Sequence, residues 1–226
     1  MTVPSLANRI VYTGNGSATA FPFAFRFASA ADLAVIGVDS PKINGTSSPP
    51  VKTDPVHVAL DHEVRLDVRA NVELARLQLT WPTPAAMTPG DLELDLLAQV
   101  LATGKSSRLY KKLVYETQIA QSVSAYESSA QLGSTFEITV TLKKDKSAAE
   151  ALALVDAELE ALRKAPPTED ELRRARAELT ANLVFANERV TARANSLNEF
   201  NQIAHDPGFL EKMLARYQTS SALEVR

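Results

Sequence analysis

Apolar residues recur along this chain with two different periods, and each change of period marks an element. In residues 134–142, Phe136, Ile138, Val140 and Leu142 alternate with Thr135, Glu137, Thr139 and Thr141. A period of two predicts a strand with one packed face and one that meets water or a partner. Residues 122–128 read as its hairpin mate across Gln131-Leu132-Gly133. Residues 64–68 and 72–81 read as two earlier strands, with a change of apolar phase near Ala75-Arg76 that suggests a bulge.

Elsewhere the spacing is helical. Leu92, Leu96, Leu97, Val100 and Leu101 form one wide stripe behind Thr88-Pro89-Gly90-Asp91. Thr88 is the expected N-cap, Pro89 the first helical residue, and Gly104 the stop. Two more helices open on the capping-box patterns Ser147…Glu150 and Thr168…Glu171. They carry Leu152, Val155, Leu159 and Leu162, then Leu172, Ala175, Leu179 and Leu183, and Pro166-Pro167 parts them. Further helices are predicted over residues 192–204 and from Pro207 onward with Asp206 as N-cap, the last continuing through residues 221–226. Strand, helix, hairpin and a run of helices make an α+β domain: an antiparallel or mixed sheet with helices packed on one face.

Composition divides the chain into three zones. Residues 1–38 are rich in aromatic and small residues, with Phe21, Phe23, Phe25 and Phe27 at strand spacing after the turn-forming Thr13-Gly14-Asn15-Gly16-Ser17. A β-hairpin-rich N-terminal extension is expected there. Residues 39–56 hold four prolines among Gly, Ser and Asn and read as a linker; residues 57–226 form the α+β body.

Charge and chemistry narrow the function mainly by exclusion. A net charge of −3, with Lys and Arg interleaved with Asp and Glu, offers no footprint for nucleic acid. No apolar run approaches the roughly 18 residues of a membrane span. No signal peptide is visible, so a cytoplasmic and a periplasmic location both stay open. Cysteine is absent, which removes disulfides, thiolate metal sites and thiol nucleophiles together. The three histidines make no metal motif. His57 and His62 stand five apart with Asp61 between them, in a strand-like pattern, whereas the zinc motif needs a helix, a spacing of four and a glutamate. His205 stands at a helix end. Gly104-Lys105-Ser106 ends like a phosphate loop, but Gln99 occupies the position of its first glycine.

Residues 77–129, from Leu77-Gln78-Leu79-Thr80-Trp81-Pro82-Thr83-Pro84 through the Ser106–Leu113 element SSRLYKKL, resemble the second, non-catalytic type of domain of the pitrilysin/insulinase zinc peptidases. The alternating hairpin and LNEFNQIAHDPGFL at residues 197–210 follow in the order of that family. The resemblance implies a domain that encloses unfolded peptide and depends on a separate zinc-bearing domain or subunit for proteolysis. The chain alone is then expected to be inactive, with no catalytic residue and no cofactor of its own; self-association is a further option. In many relatives the segment after SRL reads L-R-x-x-x-G-L-A-Y, and its Arg and Tyr reach toward peptide. Val114 and Gln121 stand at those positions here, which makes them the candidate substrate-binding residues. Relatives also continue into a final strand, so an exposed sheet edge, or one filled by the N-terminal hairpin, is expected. Residues 8–36 resemble β-rich N-terminal modules of phage tail-fibre-type proteins, which leaves a structural or interaction module as the alternative reading.

Overall fold

The computed structural model describes Leu60 and residues 62–226. The predicted N-terminal hairpin, the linker, His57 and Asp61 lie outside the described residues. Every described element falls in one compact unit that includes residues 72–226. In chain order these are β1 (Arg76–Thr83), α1 (Asp91–Ala102), a π-helix (Tyr110–Glu116), β2 (Ala120–Ser128) and β3 (Ser134–Leu142). Four helices follow: α2 (Ala148–Lys164), α3 (Glu169–Ala186), α4 (Val190–Ala204) and α5 (Phe209–Thr219). The class is α+β, as the alternating and helical periods predict.

The sheet is antiparallel in the order β1-β3-β2. The last strand in sequence takes the centre because it alone can be satisfied on both sides. Phe136, Ile138, Val140 and Leu142 are all at most 4% exposed. Across the ladder they face Trp81, Leu79 and Leu77 of β1 and Ala125, Val123 and Ala120 of β2. Helix α1 packs on β2, and α2 packs against β1 and β3, so the helices cover one face of the sheet. Leu96, Leu101, Leu109, Leu113 and Leu172 complete this core with no exposed surface. Each such side chain contributes about 1.5–3 kcal/mol by leaving water.

Several local expectations are corrected. Residues 64–68 form no strand: Val64, Leu66 and Val68 stay 59%, 78% and 64% exposed, and among the described residues no strand runs beside them to complete a ladder. Strand β1 begins only at Arg76 and pairs without a bulge, so the apolar phase change marks where pairing starts. The bulge lies in β2 instead, at Gln121, between Ala120 and Ser122. Helix α1 is capped by Gly90, not Thr88. Gly90 has φ 99°, which favours glycine, and its N–H donates to Glu93 Oε2 at 3.0 Å. Thr88 turns back to donate its hydroxyl to the Ala85 carbonyl at 2.6 Å. Asp206 likewise does not cap α5; it accepts the Gly208 N–H at 2.9 Å, and Gly208 holds the cap position. Helix α5 ends at Thr219 rather than continuing, because Ser220 adopts ψ 124° and Ser221 and Glu224 close a separate turn.

The π-helix gives α1 its path to β2. The Thr117 N–H reaches back five residues to the Lys112 carbonyl at 3.0 Å, and the Thr117 hydroxyl bonds the same oxygen at 2.8 Å. Gln118 then takes φ 51° before the buried pair Ile119 and Ala120. A left-handed non-glycine residue costs roughly 1–2 kcal/mol, and glycine's extra unfolded-state freedom returns about 0.4–1 kcal/mol of any relief. Gln118→Gly is therefore expected to raise stability by about 0.5–1 kcal/mol in urea unfolding. Ile138→Ala, at the centre of the core, should lower it by about 2–5 kcal/mol.

Candidate functional site

The face of the sheet turned away from the helices is almost entirely polar. Antiparallel register puts Gln78, Thr80 and Pro82 of β1 beside Thr139, Glu137 and Thr135 of β3. It puts Ser122, Ser124, Tyr126 and Ser128 of β2 beside Thr141, Thr139, Glu137 and Thr135 from the other side. Residues directly opposite share a face, so short hydroxyl side chains tile one surface three strands wide. One carboxylate ties it together. Gln78 Nε2 donates to Glu137 Oε2 at 2.8 Å and the Tyr126 hydroxyl donates to the same oxygen at 2.7 Å. Glu137 is only 5% exposed, and two strands are thereby pinned to the third through side chains as well as backbone.

The SRL segment that carries the sequence resemblance is used for assembly. The Ser107 hydroxyl donates to the Gly104 carbonyl at 2.7 Å, just past the end of α1, where Gly104 itself has φ 75°. Leu109 is fully buried. Arg108 grips Glu171 with both prongs, Nε to Oε1 at 2.7 Å and a terminal nitrogen to Oε2 at 2.8 Å. Glu171 also accepts the Thr168 N–H at 2.8 Å, closing the predicted capping box of α3. One carboxylate therefore starts α3 and anchors it to the segment after α1. The Arg108 guanidinium holds the Glu171 carboxyl down to about 2, and the same pairing raises Arg108.

The two residues singled out from the sequence stand in different settings. Val114 lies in the π-helix, half-buried and packed against the core. Gln121 is exposed at the bulge of β2. His62 is exposed, and His205 forms the left-handed C-cap of α4 with φ 53°. Among the described residues no group of three or more His, Asp or Glu is placed to hold a metal ion. No helix among them is long and apolar enough to cross a membrane.

A second polar cluster escaped sequence reasoning. Asp91 and Glu93 are 2% and 4% exposed at the start of α1, and Asp95 is half-buried one turn on. Asp91 accepts the Met87 N–H at 2.8 Å and the Ser129 hydroxyl at 2.6 Å. Asp95 accepts the Tyr217 hydroxyl of α5 at 2.6 Å. Glu93 takes Arg216 and the Ser220 hydroxyl. Glu127 adds a fourth carboxylate from β2, bonded to the Thr83 hydroxyl. Burial pushes Asp95 up to about 6 and Glu127 up to about 7, and it raises Asp91 and Tyr217 as well. One signal was available: Glu127 continues the inward phase of Val123 and Ala125. The first-turn acids of α1 looked like ordinary complements to the helix dipole.

The fold of this chain is similar to that of solved peptidase structures. The structure resembles a protease from Helicobacter pylori with a TM-score of 0.63 at 22% identity, covering 70% of this chain and 38% of that one. It resembles the inactive peptidase domain from Bordetella parapertussis with a TM-score of 0.61 at 23% identity, covering 71% of this chain and 86% of that domain. It resembles the peptidase M16 inactive domain from Pseudomonas fluorescens with a TM-score of 0.59 at 20% identity, covering 66% and 36%. This chain thus spans about two fifths of the Helicobacter protein but most of the Bordetella domain. No curated protein matches it. The family model for the peptidase M16 inactive domain matches residues 35–179, and the chain belongs to that family.

The Arg108–Glu171 pair sets a stability prediction in acid. A carboxyl held below its unfolded value stabilises the fold above about pH 4.5, and that contribution is lost as pH falls toward about 2. Glu171→Gln should cost about 2–3 kcal/mol at neutral pH, since it breaks a largely buried charge pair while its amide oxygen can still accept the Thr168 N–H. Urea titrations of both proteins between about pH 5 and pH 2 should show the gap narrowing as the wild type loses its pair.

Proposed function

We propose that this domain forms one wall of a proteolytic chamber, enclosing an unfolded peptide while a separate domain or subunit supplies the zinc chemistry. The polar sheet face carries this reading. It is broad and lined by Ser, Thr, Gln and Tyr side chains that can bond an extended backbone of any sequence. The helices behind it leave that face as the one turned outward. Membership of the inactive-domain family supports the absence of a catalytic residue in this chain. Of the two positions matched to peptide contacts in relatives, we assign Gln121 to the peptide, because its side chain is exposed on β2. Val114 supports that strand from the core side.

The purified chain is expected to leave a fluorogenic peptide intact, with or without added zinc. Mixing it with a zinc-bearing peptidase domain of the same family should produce chelator-sensitive cleavage. Replacing Ser124 or Thr139 on the polar face by Trp should raise KM for that cleavage by roughly tenfold, a loss of about 1.4 kcal/mol of binding. Chelator-sensitive cleavage by the chain alone would overturn the reading, and so would wild-type KM values in both Trp variants.

A further inference from the structure

The sheet has two outer edges, and the chain treats them differently. The Leu142 N–H donates to the carbonyl of Ala75, directly opposite it, at 2.9 Å. In an antiparallel ladder that bond fixes which residues turn inward. Leu77, Leu79 and Trp81 turn their backbone groups to β3, whereas Arg76, Gln78 and Thr80 turn theirs outward. Pro82 takes an outward place too, where its missing N–H breaks no ladder bond. On the other side, the Lys143 N–H donates to the Ile119 carbonyl at 2.9 Å. The same alternation turns the backbone groups of Val123, Ala125 and Glu127 to the outer edge of β2. Among the described residues no backbone partner meets either row.

A free sheet edge is a template for a further strand, and proteins blunt it with bulges and inward-pointing charge. Strand β2 carries both devices: the bulge at Gln121, and Glu127, a carboxylate half-buried on the packed side. Helix α1 also packs on it. Between Arg76 and Trp81, β1 has no bulge and no charge on its packed face. Leu77 and Leu79 are half-buried there and Trp81 is 37% exposed, so the apolar layer reaches the rim uncovered.

We propose that the β1 edge pairs antiparallel with the same edge of a second copy of this chain, joining two three-stranded sheets into one of six. The strand complements itself in one register, with Gln78 opposite Gln78 of the second copy on the two-fold axis. Arg76 then faces the other copy's Thr80, and each such pair exchanges two backbone bonds. On the packed side Leu77 faces Leu79, and the small Ala75 faces the large Trp81. Pro82 stands past the last bonded pair, so its missing donor is not called on. Charge agrees as well, since each Arg76 enters the row that runs through Thr80 to Glu137 of the other copy. A slip to the next symmetric register sets Pro82 against Arg76 in one direction, or Glu73 against Trp81 in the other. Such a self-complementary contact closes at two copies, whereas β1 laid on β2 would grow without end.

Sedimentation of the full chain at concentrations up to about 100 μM should show its mass approaching twice 24.5 kDa. Amides 76, 78 and 80 should exchange about tenfold or more slowly in the dimer than in the dilute monomer, while 77 and 79 stay protected in both. Thr80→Pro removes one outward donor, as Pro82 already does, so it should still unfold cooperatively yet weaken the dimer by about tenfold or more. The chain has no cysteine, so a single Gln78→Cys gives a clean register test. Directly opposed residues of a bonded pair lie about 5.5 Å apart at Cα, within disulfide reach, so this variant should oxidise to a covalent dimer. Thr80→Cys alone should not. Self-pairing is wrong if the native chain stays monomeric over that range, grows beyond two copies, or dimerises equally well as folded Thr80→Pro. Cross-linking of Thr80→Cys in preference to Gln78→Cys also refutes it. Slow exchange of amides 76, 78 and 80 in the dilute monomer would give the edge to another segment of this chain. Slow exchange only after a zinc-bearing peptidase domain is added would give it to that partner, and either result overturns the proposal.

Discussion

The architecture depends on the two-faced character of β3. Its apolar residues sink beneath the helices and its polar residues pin the opposite surface, and both roles require it to sit between β1 and β2. A central strand has every backbone group paired on both sides, so its register cannot slip by one residue without exchanging the two faces. The sheet's packed side and its polar side are in that sense one property. The same constraint places Glu137, a buried carboxylate, on the polar side, where Gln78 and Tyr126 satisfy it from the neighbouring strands.

Around this strand the molecule uses charge to position helices. Arg108 and Glu171 join the segment after α1 to the first turn of α3, and the bidentate geometry fixes direction as well as distance. The SRL pattern is accordingly a joint in the scaffold. Helix α5 is attached differently, through hydroxyls and one guanidinium laid on a cluster of acids. The first attachment is strongest when its carboxylate is ionised.

Elements with a strong period were legible in the sequence. The alternation in β3, the stripe of α1 and the capping box at Thr168 are local signals that packing reinforced. Misreadings fell where local chemistry left several outcomes equal. Thr88 and Asp206 are good caps by residue type, but the chain turns at Gly90 and Gly208, and both side chains serve the preceding turns. Val64, Leu66 and Val68 alternate correctly, yet alternation without a neighbouring strand leaves backbone groups unpaired, and no ladder forms at those residues.

The sequence by itself determined the class of fold, the family and the absence of cysteine chemistry, because periods, caps and motif order are properties of neighbouring residues. It also marked Val114 and Gln121, though only as positions in a pattern. The tertiary structure decided which strand is central, that Arg108 grips a residue 63 positions away, and that Asp95 meets Tyr217 across 122. Desolvation shifts a carboxyl only once distant segments close over it. A buried acid is therefore indistinguishable in the sequence from an exposed one, and the acidic cluster at the start of α1 came into view only with the packing.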